Sequence, residues 1–346
     1  MWSLPTQMSA PRPKRLLPLT ALILLWVVFL NGCGILSEEQ FIVYAEGDVG
    51  ARNIAVARSD GSEHRIVIAG PSDDFAPKWS PDHTRIAFLS NRDGNVELYI
   101  TPADGSSVMR VTNTGVPESQ PTWSPDGKRL AYVSPDFEGH PRVYWLRLSD
   151  LLPNPLIFSS GSEVDPAWSP EGTGVAFASL NQQGISEGLF LRNPDGVNQY
   201  QLTTAQDRDP VWSPDGTKIA FVSKRDGNEE IYVLHVTPQG PDGQAIRITN
   251  DPGRDFAPQW SPDSKRVAFI SDRTGNTDIY VVTDSGQDLK ALTQNTIEET
   301  DFAWGKNGKI VFESVPADKP ELFVTTQDGQ QNKLSSGDFA ASQPDW

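Results

Sequence analysis

The phrase Trp-Ser-Pro-Asp-Gly and near variants of it run through the chain, at "KWSPDHTRIAF", "TWSPDGKRLAY", "AWSPEGTGVAF", "VWSPDGTKIAF", "QWSPDSKRVAF" and, degraded, "AWGKNGKIVF". The tryptophans are Trp79, Trp123, Trp168, Trp212, Trp260 and Trp304, at steps of 44, 45, 44, 48 and 44 residues. A constant period of this size marks a repeat fold, in which one unit buries its faces only against its neighbours. The repeat therefore has to be read before any single residue is given a chemical role.

The unit around Trp212 holds four strand-sized segments, "DPVW", "KIAFVS", "EIYVLHV" and "AIRIT", here called strands A to D. Each has β-branched and aromatic residues in alternation and is bounded by turn residues. Pro214 and Gly216 suit the A–B turn, because proline presets φ at the first corner and glycine accepts positive φ at the end. Arg-Asp-Gly-Asn between B and C is again a hairpin composition. A lone four-stranded blade leaves both faces wet, so the units must stack in a ring, as in a propeller. Residues 41–68 supply strands B, C and D without a preceding A strand, while the chain ends on "SQPDW", an A strand with nothing after it. The two fragments complete each other. The expectation is an all-β, seven-bladed β-propeller of four-stranded antiparallel blades over residues 41–346, closed by the C-terminal strand, in a single domain.

The "P-x-W-S-P-D-G-x-x-I-A-F" phrase followed by "R-D-G-N-x-x-I-Y" resembles the TolB-like propeller repeat, a WD40-like unit also called PD40. That repeat is shared by the envelope protein TolB, tricorn-like and prolyl-oligopeptidase-like proteases and oligogalacturonate lyase. The resemblance covers residues 41–346 and implies the fold; for function it implies little, since these relatives do unrelated things. TolB itself has an additional N-terminal domain and six blades, so this chain departs from it twice.

Residues 1–32 read as a signal peptide. Arg12, Lys14 and Arg15 precede an apolar run, Leu16 to Leu30, that is too short to span a bilayer. Leu30-Asn31-Gly32-Cys33 then resembles the end of a bacterial lipoprotein signal, and Cys33 is the only cysteine of the chain. The expectation is a lipidated Cys33, a short tether over residues 33–40 and an extracytoplasmic domain anchored to the cell membrane or outer membrane by lipid. Cleavage at that point removes three positive charges and no acids, taking the net charge from −16 to −19. Such acidity argues against nucleic acid as a partner and for a protein or cell-envelope component of basic character.

Residues that break the repeat are the ones with specific roles to assign. Five positions before each tryptophan stand Asp74, Glu118, Glu163, Asp207, Asp255 and Glu299, with Ala341 as the exception. Asp74, Asp207 and Asp255 are each followed 18 residues later by an arginine, Arg92, Arg225 and Arg273, which predicts an ion pair within the blade. The same offset from Glu118, Glu163 and Glu299 lands on Asp136, Asn181 and Ala317, so these three are expected to lack a partner. Asp165, Asp209 and Asp301 lie three before their tryptophans and, at period two, on the same side of the strand.

Together these carboxylates predict an acidic funnel on one face, suited to a cationic peptide, a basic protein surface or a divalent cation such as calcium. No contiguous calcium loop occurs, and no organic cofactor is expected. Asp136 and His140, with Glu138 beside them in "SPDFEGHPR", form a further cluster expected to face Glu118. The histidines His64, His83, His140 and His235 fall on different blades, and there is no Gly-x-Ser-x-Gly elbow. The function expected is a binding or scaffold module working through the D–A and B–C loops; the alternative is a polysaccharide lyase or hydrolase acting at the same face.

Overall fold

The computed structural model describes residues 41–156, 161–194, 198–237, 240–316, 319–326, 329–334 and 340–346. Cys33, the signal and the tether lie outside these residues. The described chain forms seven four-stranded antiparallel sheets. Their first strands are Asp74–Trp79, Ser119–Trp123, Ser162–Trp168, Asp207–Trp212, Asp255–Trp260, Glu299–Trp304 and Ala341–Asp345. We number the blades 1 to 7 in that order. Each first strand touches the first strand of the next blade, and the seventh touches the first, so these strands circle a central shaft.

Blade 7 is composite. Ala341–Asp345 pairs antiparallel with Phe41–Glu46, with Val43 opposite Asp345, Ala45 opposite Ser342 and Glu46 opposite Ala341. Seven blades and closure by the last strand are as the sequence predicts. Blade 4 differs in one detail: its fourth strand spans Gly240–Arg247 rather than starting at Ala245, because the third strand continues to Thr237 and gives it a longer partner.

The repeated tryptophans wedge between blades. Trp123 Nε1 donates to the Lys78 carbonyl at 3.0 Å, Trp212 to Ala167 at 3.2 Å and Trp260 to Val211 at 3.0 Å, each reaching into the preceding blade. Arg85 and Arg129, at the start of second strands, lie over Trp123 and Trp168 and donate to the turn carbonyls of Gly127 and Gly172 in the next blade. The apolar wedge is the part that repeats, and in blades 2, 4 and 5 a directed bond adds to it in fixing the angle between neighbours.

A proline two residues before the tryptophan breaks no ladder, because the first strand is an edge facing the shaft. Just before it the ladder slips: register shifts occur between Phe75 and Lys78, Ser119 and Thr122, Val164 and Ala167, Arg208 and Val211, and Phe256 and Gln259. At the bulge Ala76, Gln120, Asp165, Asp209, Ala257 and Gln343 take φ between 48° and 57°. Non-glycine residues rarely adopt this conformation, and its recurrence around the shaft marks a built feature.

Candidate binding face

The bulge decides where the acids point. The ring five before the tryptophan is buried within the blades, with Asp74, Glu163, Asp207, Asp255 and Glu299 wholly inaccessible and Glu118 nearly so. Three members pair as predicted: Arg92 Nη2 donates to Asp74 at 2.8 Å, Arg225 Nη2 to Asp207 at 2.8 Å and Arg273 Nη2 to Asp255 at 3.0 Å. Each arginine also donates from Nε to a serine at the end of the second strand, Ser90, Ser223 or Ser271. Each stacks over the aromatic pair of its blade, with guanidinium to ring-centroid distances of 4.5–5.5 Å.

The expectation that Glu118, Glu163 and Glu299 are free carboxylates on an open funnel is corrected. Glu163 accepts from Arg142 Nη1 at 2.9 Å, across the boundary between blades 3 and 2. Glu118 accepts from Thr114 at 2.6 Å, Thr112 at 3.1 Å and Ser134 at 3.3 Å. Glu299 accepts from Thr293 and Asn295, each at 3.1 Å, and from Ser314 at 3.4 Å. The bulge breaks the period of two, so residues five and three before the tryptophan do not share a side: one enters the blade and the other faces the shaft.

Burial pushes the Glu118 carboxyl up to about 7, with hydroxyl donors opposing and Glu97 adding to the shift. Burial likewise pushes Glu299 up to about 7, opposed by Asn295 and Thr293 and reinforced by Asp278. A folded-state value above the unfolded one, ~4.3 for glutamate, means stability that is complete at low pH and lost as pH rises through about 7. Glu118→Gln with Glu299→Gln should therefore flatten the fall in unfolding temperature between pH 5 and 8. It should raise stability at pH 8 by at most roughly 3–4 kcal/mol per site. A double variant less stable than the wild type at pH 8 would show that the ionised carboxylates stabilise these blades.

The ring three before the tryptophan is the one that lines the shaft. Its members tie blade to blade: Gln343 Oε1 accepts from the Ala76 amide at 2.8 Å, Gln120 Nε2 donates to Asp165 at 2.7 Å, and Asp165 Oδ2 accepts from the Asp209 amide at 3.3 Å. Asp345, nearby, accepts from the Trp79 amide at 2.8 Å and pairs with Lys78. Asp209 pairs with Arg208, which also reaches Glu229 at 3.0 Å.

The acids here still exceed the cations. Burial pushes Asp209 up, with Asp165 adding and Arg208 opposing. Burial pushes Asp301 up to about 6, with Lys78 opposing and Glu313 and Asp345 adding. Among the described residues no three His, Cys, Asp or Glu side chains gather as a metal ion would require.

The cluster in blade 2 is arranged differently from the expectation. Asp136 does not oppose Glu118; it accepts from Arg142 Nε at 2.9 Å and from the amides of Glu138 and His140. Burial opposes but Arg142 and these amides hold its carboxyl below the usual range. His140 Nδ1 lies 3.8 Å from Asp136 and 3.5 Å from Glu138. The two carboxylates are thus engaged separately, not poised as an acid–base couple.

Arg142 is the residue that sequence reasoning missed. It stands two before the third-strand tyrosine Tyr144, where blades 1, 4 and 5 carry Glu97, Glu230 and Asp278. Blade 2 therefore exchanges the signs of two positions, arginine for acid here and Asp136 for arginine in the hairpin. Aligning the units on the third strand as well as on the tryptophan makes this exchange visible.

A closed ring of four-stranded blades, with polar side chains converging on a shaft, defines a seven-bladed β-propeller. The chain belongs to the TolB beta propeller domain family, PD40, whose model matches residues 37–186, 119–249 and 189–346. No curated protein matches it. Among solved structures it is similar to TolB from Acinetobacter baumannii, at 18% identity and TM-score 0.60 over 92% of this chain and 69% of that one. It is similar to the oligogalacturonate lyase of Vibrio parahaemolyticus, at 12% identity and TM-score 0.63 over 86% of each chain. It is also similar to the β-propeller domain of the trilobed protease from Pyrococcus furiosus, described as having an open velcro topology, at 14% identity and TM-score 0.66 over 87% of this chain and 94% of that one. These likenesses concern the fold.

Proposed function

We propose that the protein is a lipid-anchored, extracytoplasmic propeller that binds a protein or other cell-envelope component through the face carrying the D–A and B–C loops and the shaft beside it. The observation that supports this best is the surplus of acid on the innermost strands. Asp209 and Asp301 sit where burial resists their ionisation, and Asp165 accepts from the Asp209 amide beside them, so an incoming cationic group is stabilised by carboxylates already held in place. Membership of the TolB propeller family and the lipoprotein-like signal ending at Cys33 support the location.

The test uses the full chain in its native membrane. Cys33→Ser should remain unprocessed or leave the membrane fraction. Proteins captured by the wild type should be lost at high salt and lost from the triple variant Asp165→Asn, Asp209→Asn and Asp301→Asn, since screening and neutralisation remove the same attraction. Capture that is indifferent to both salt and the triple change would overturn the reading of the shaft, and a Cys33→Ser protein that fractionates like the wild type would overturn the anchor.

A further inference from the structure

Blades 1, 4 and 5 each contain a receptor for one guanidinium, filled by their own arginine. Its parts are constant: a buried acid five before the tryptophan, a serine eleven after it, and a stacked aromatic pair formed by the second and third strands. Blade 1 uses Asp74, Ser90, Phe88 and Tyr99, with Arg92 bonded to the first two and stacked over the others. Blade 4 repeats this with Asp207, Ser223, Phe221, Tyr232 and Arg225. Blade 5 uses Asp255, Ser271, Phe269, Tyr280 and Arg273.

Blade 2 keeps every part of the receptor except the guanidinium. Glu118 is the acid, Ser134 the serine, and Tyr132 and Tyr144 the pair, their ring centroids 5.9 Å apart. The hairpin position that carries arginine in the other three blades carries Asp136, which is turned to Arg142. In that space lies a cavity of about 630 Å³ whose lining includes Tyr132, Tyr144, Ser134, Thr114, Glu138 and Phe137. Ser134 and Thr114 both bond to Glu118 Oε1, so the buried acid stands directly behind the wall, as Asp74 stands behind Arg92. Phe137, at the cavity mouth, is 96% exposed. Blades 3 and 6 also lack the arginine, but in blade 3 Arg142 already meets the acid Glu163 and the hairpin of blade 6 includes residues outside those described, so the inference is confined to blade 2.

We propose that this cavity receives an arginine side chain from a partner polypeptide, whose guanidinium bonds Ser134 and Glu118 and stacks over Tyr132 and Tyr144 as the chain's own arginines do in blades 1, 4 and 5. The inference rests on the binding-module reading and gives the chemistry of one contact in it. Charge complementarity favours the occupant: Asp136 and Glu138 line the space and Glu118 stands behind its wall, while the charge of Arg142, which also lines it, is met by Asp136 and Glu163. A planar guanidinium is the cation that pairs with a carboxylate and stacks on a ring at once. The bare Phe137 beside the opening points to a polypeptide, which would cover it, over a free small molecule.

The experiment titrates the full chain with a blocked Gly-Gly-Arg-Gly-Gly peptide, the same peptide with citrulline, and free L-arginine. The arginine peptide should bind at least about tenfold more tightly than the citrulline one, because citrulline keeps the planar shape but replaces a charged NH2 donor by a neutral carbonyl oxygen. Glu118→Gln, expected to be at least as stable as the wild type, should weaken arginine-peptide binding by a similar factor, as should Tyr144→Leu. Equal binding of the two peptides, or full binding by both variants, would overturn the proposal, and free L-arginine binding as tightly as the peptide would overturn its polypeptide source. If the peptide fails while wild-type capture of a native partner remains salt-sensitive, this contact falls and the binding-module reading stands.

Discussion

Deleting residues 341–346 is expected to lower the unfolding temperature by more than about 10 °C or to leave the protein aggregated. The deleted strand is the inner edge of blade 7 and is held on three sides. It pairs with Phe41–Glu46, its Asp345 and Gln343 accept from the amides of Trp79 and Ala76 in blade 1, and Gln343 N–H donates to Glu313 in blade 6 at 2.9 Å. Trp346 packs against the apolar cluster that includes Ala303 and Val311. Hydrogen bonds contribute about 0.5–1.5 kcal/mol each, and at a few degrees per kcal/mol for a domain of this size the combined loss reaches the stated shift. The deletion also bares the edge of Phe41–Glu46, a buried apolar strand, which invites pairing between molecules. Thermal unfolding monitored with light scattering reads both effects. An unchanged transition would show that the ring does not depend on its closing strand.

Arg142→Met should cost about 3–5 kcal/mol, far more than the loss of an exposed pair. The guanidinium serves Asp136 within blade 2 and Glu163 at the boundary with blade 3, and Glu163 is completely buried. Removing the cation leaves that carboxylate charged in an interior that cannot solvate it. Changing Glu163 to Gln alongside Arg142→Met should recover part of the loss, since it removes the stranded charge. Denaturant unfolding of the single and double variants measures this. A single variant within about 1 kcal/mol of the wild type would place the pair among surface bridges. Glu118→Gln and Glu299→Gln are expected to do the opposite at high pH, although all three glutamates occupy the same position in the repeat.

That contrast separates what was legible in the chain from what was not. The number of blades, the composite seventh blade and the pairs of Asp74, Asp207 and Asp255 with Arg92, Arg225 and Arg273 follow from the sequence alone. Each is local to one unit or recurs at a constant offset, and a repeat fold makes local geometry recur with it. The fate of the remaining acids was decided by tertiary structure. A period-two reading assumes an unbroken strand. The bulge at Ala76, Gln120, Asp165 and Asp209 adds a residue in the left-handed region, which turns one acid into the blade and the next toward the shaft.

The partner of Glu163 was equally hidden. Arg142 lies 21 residues away in the preceding blade, and no offset within a unit reaches it. Contacts across a blade boundary depend on how one sheet is rotated against the next, and that rotation is set by packing between blades rather than by any pattern along one strand.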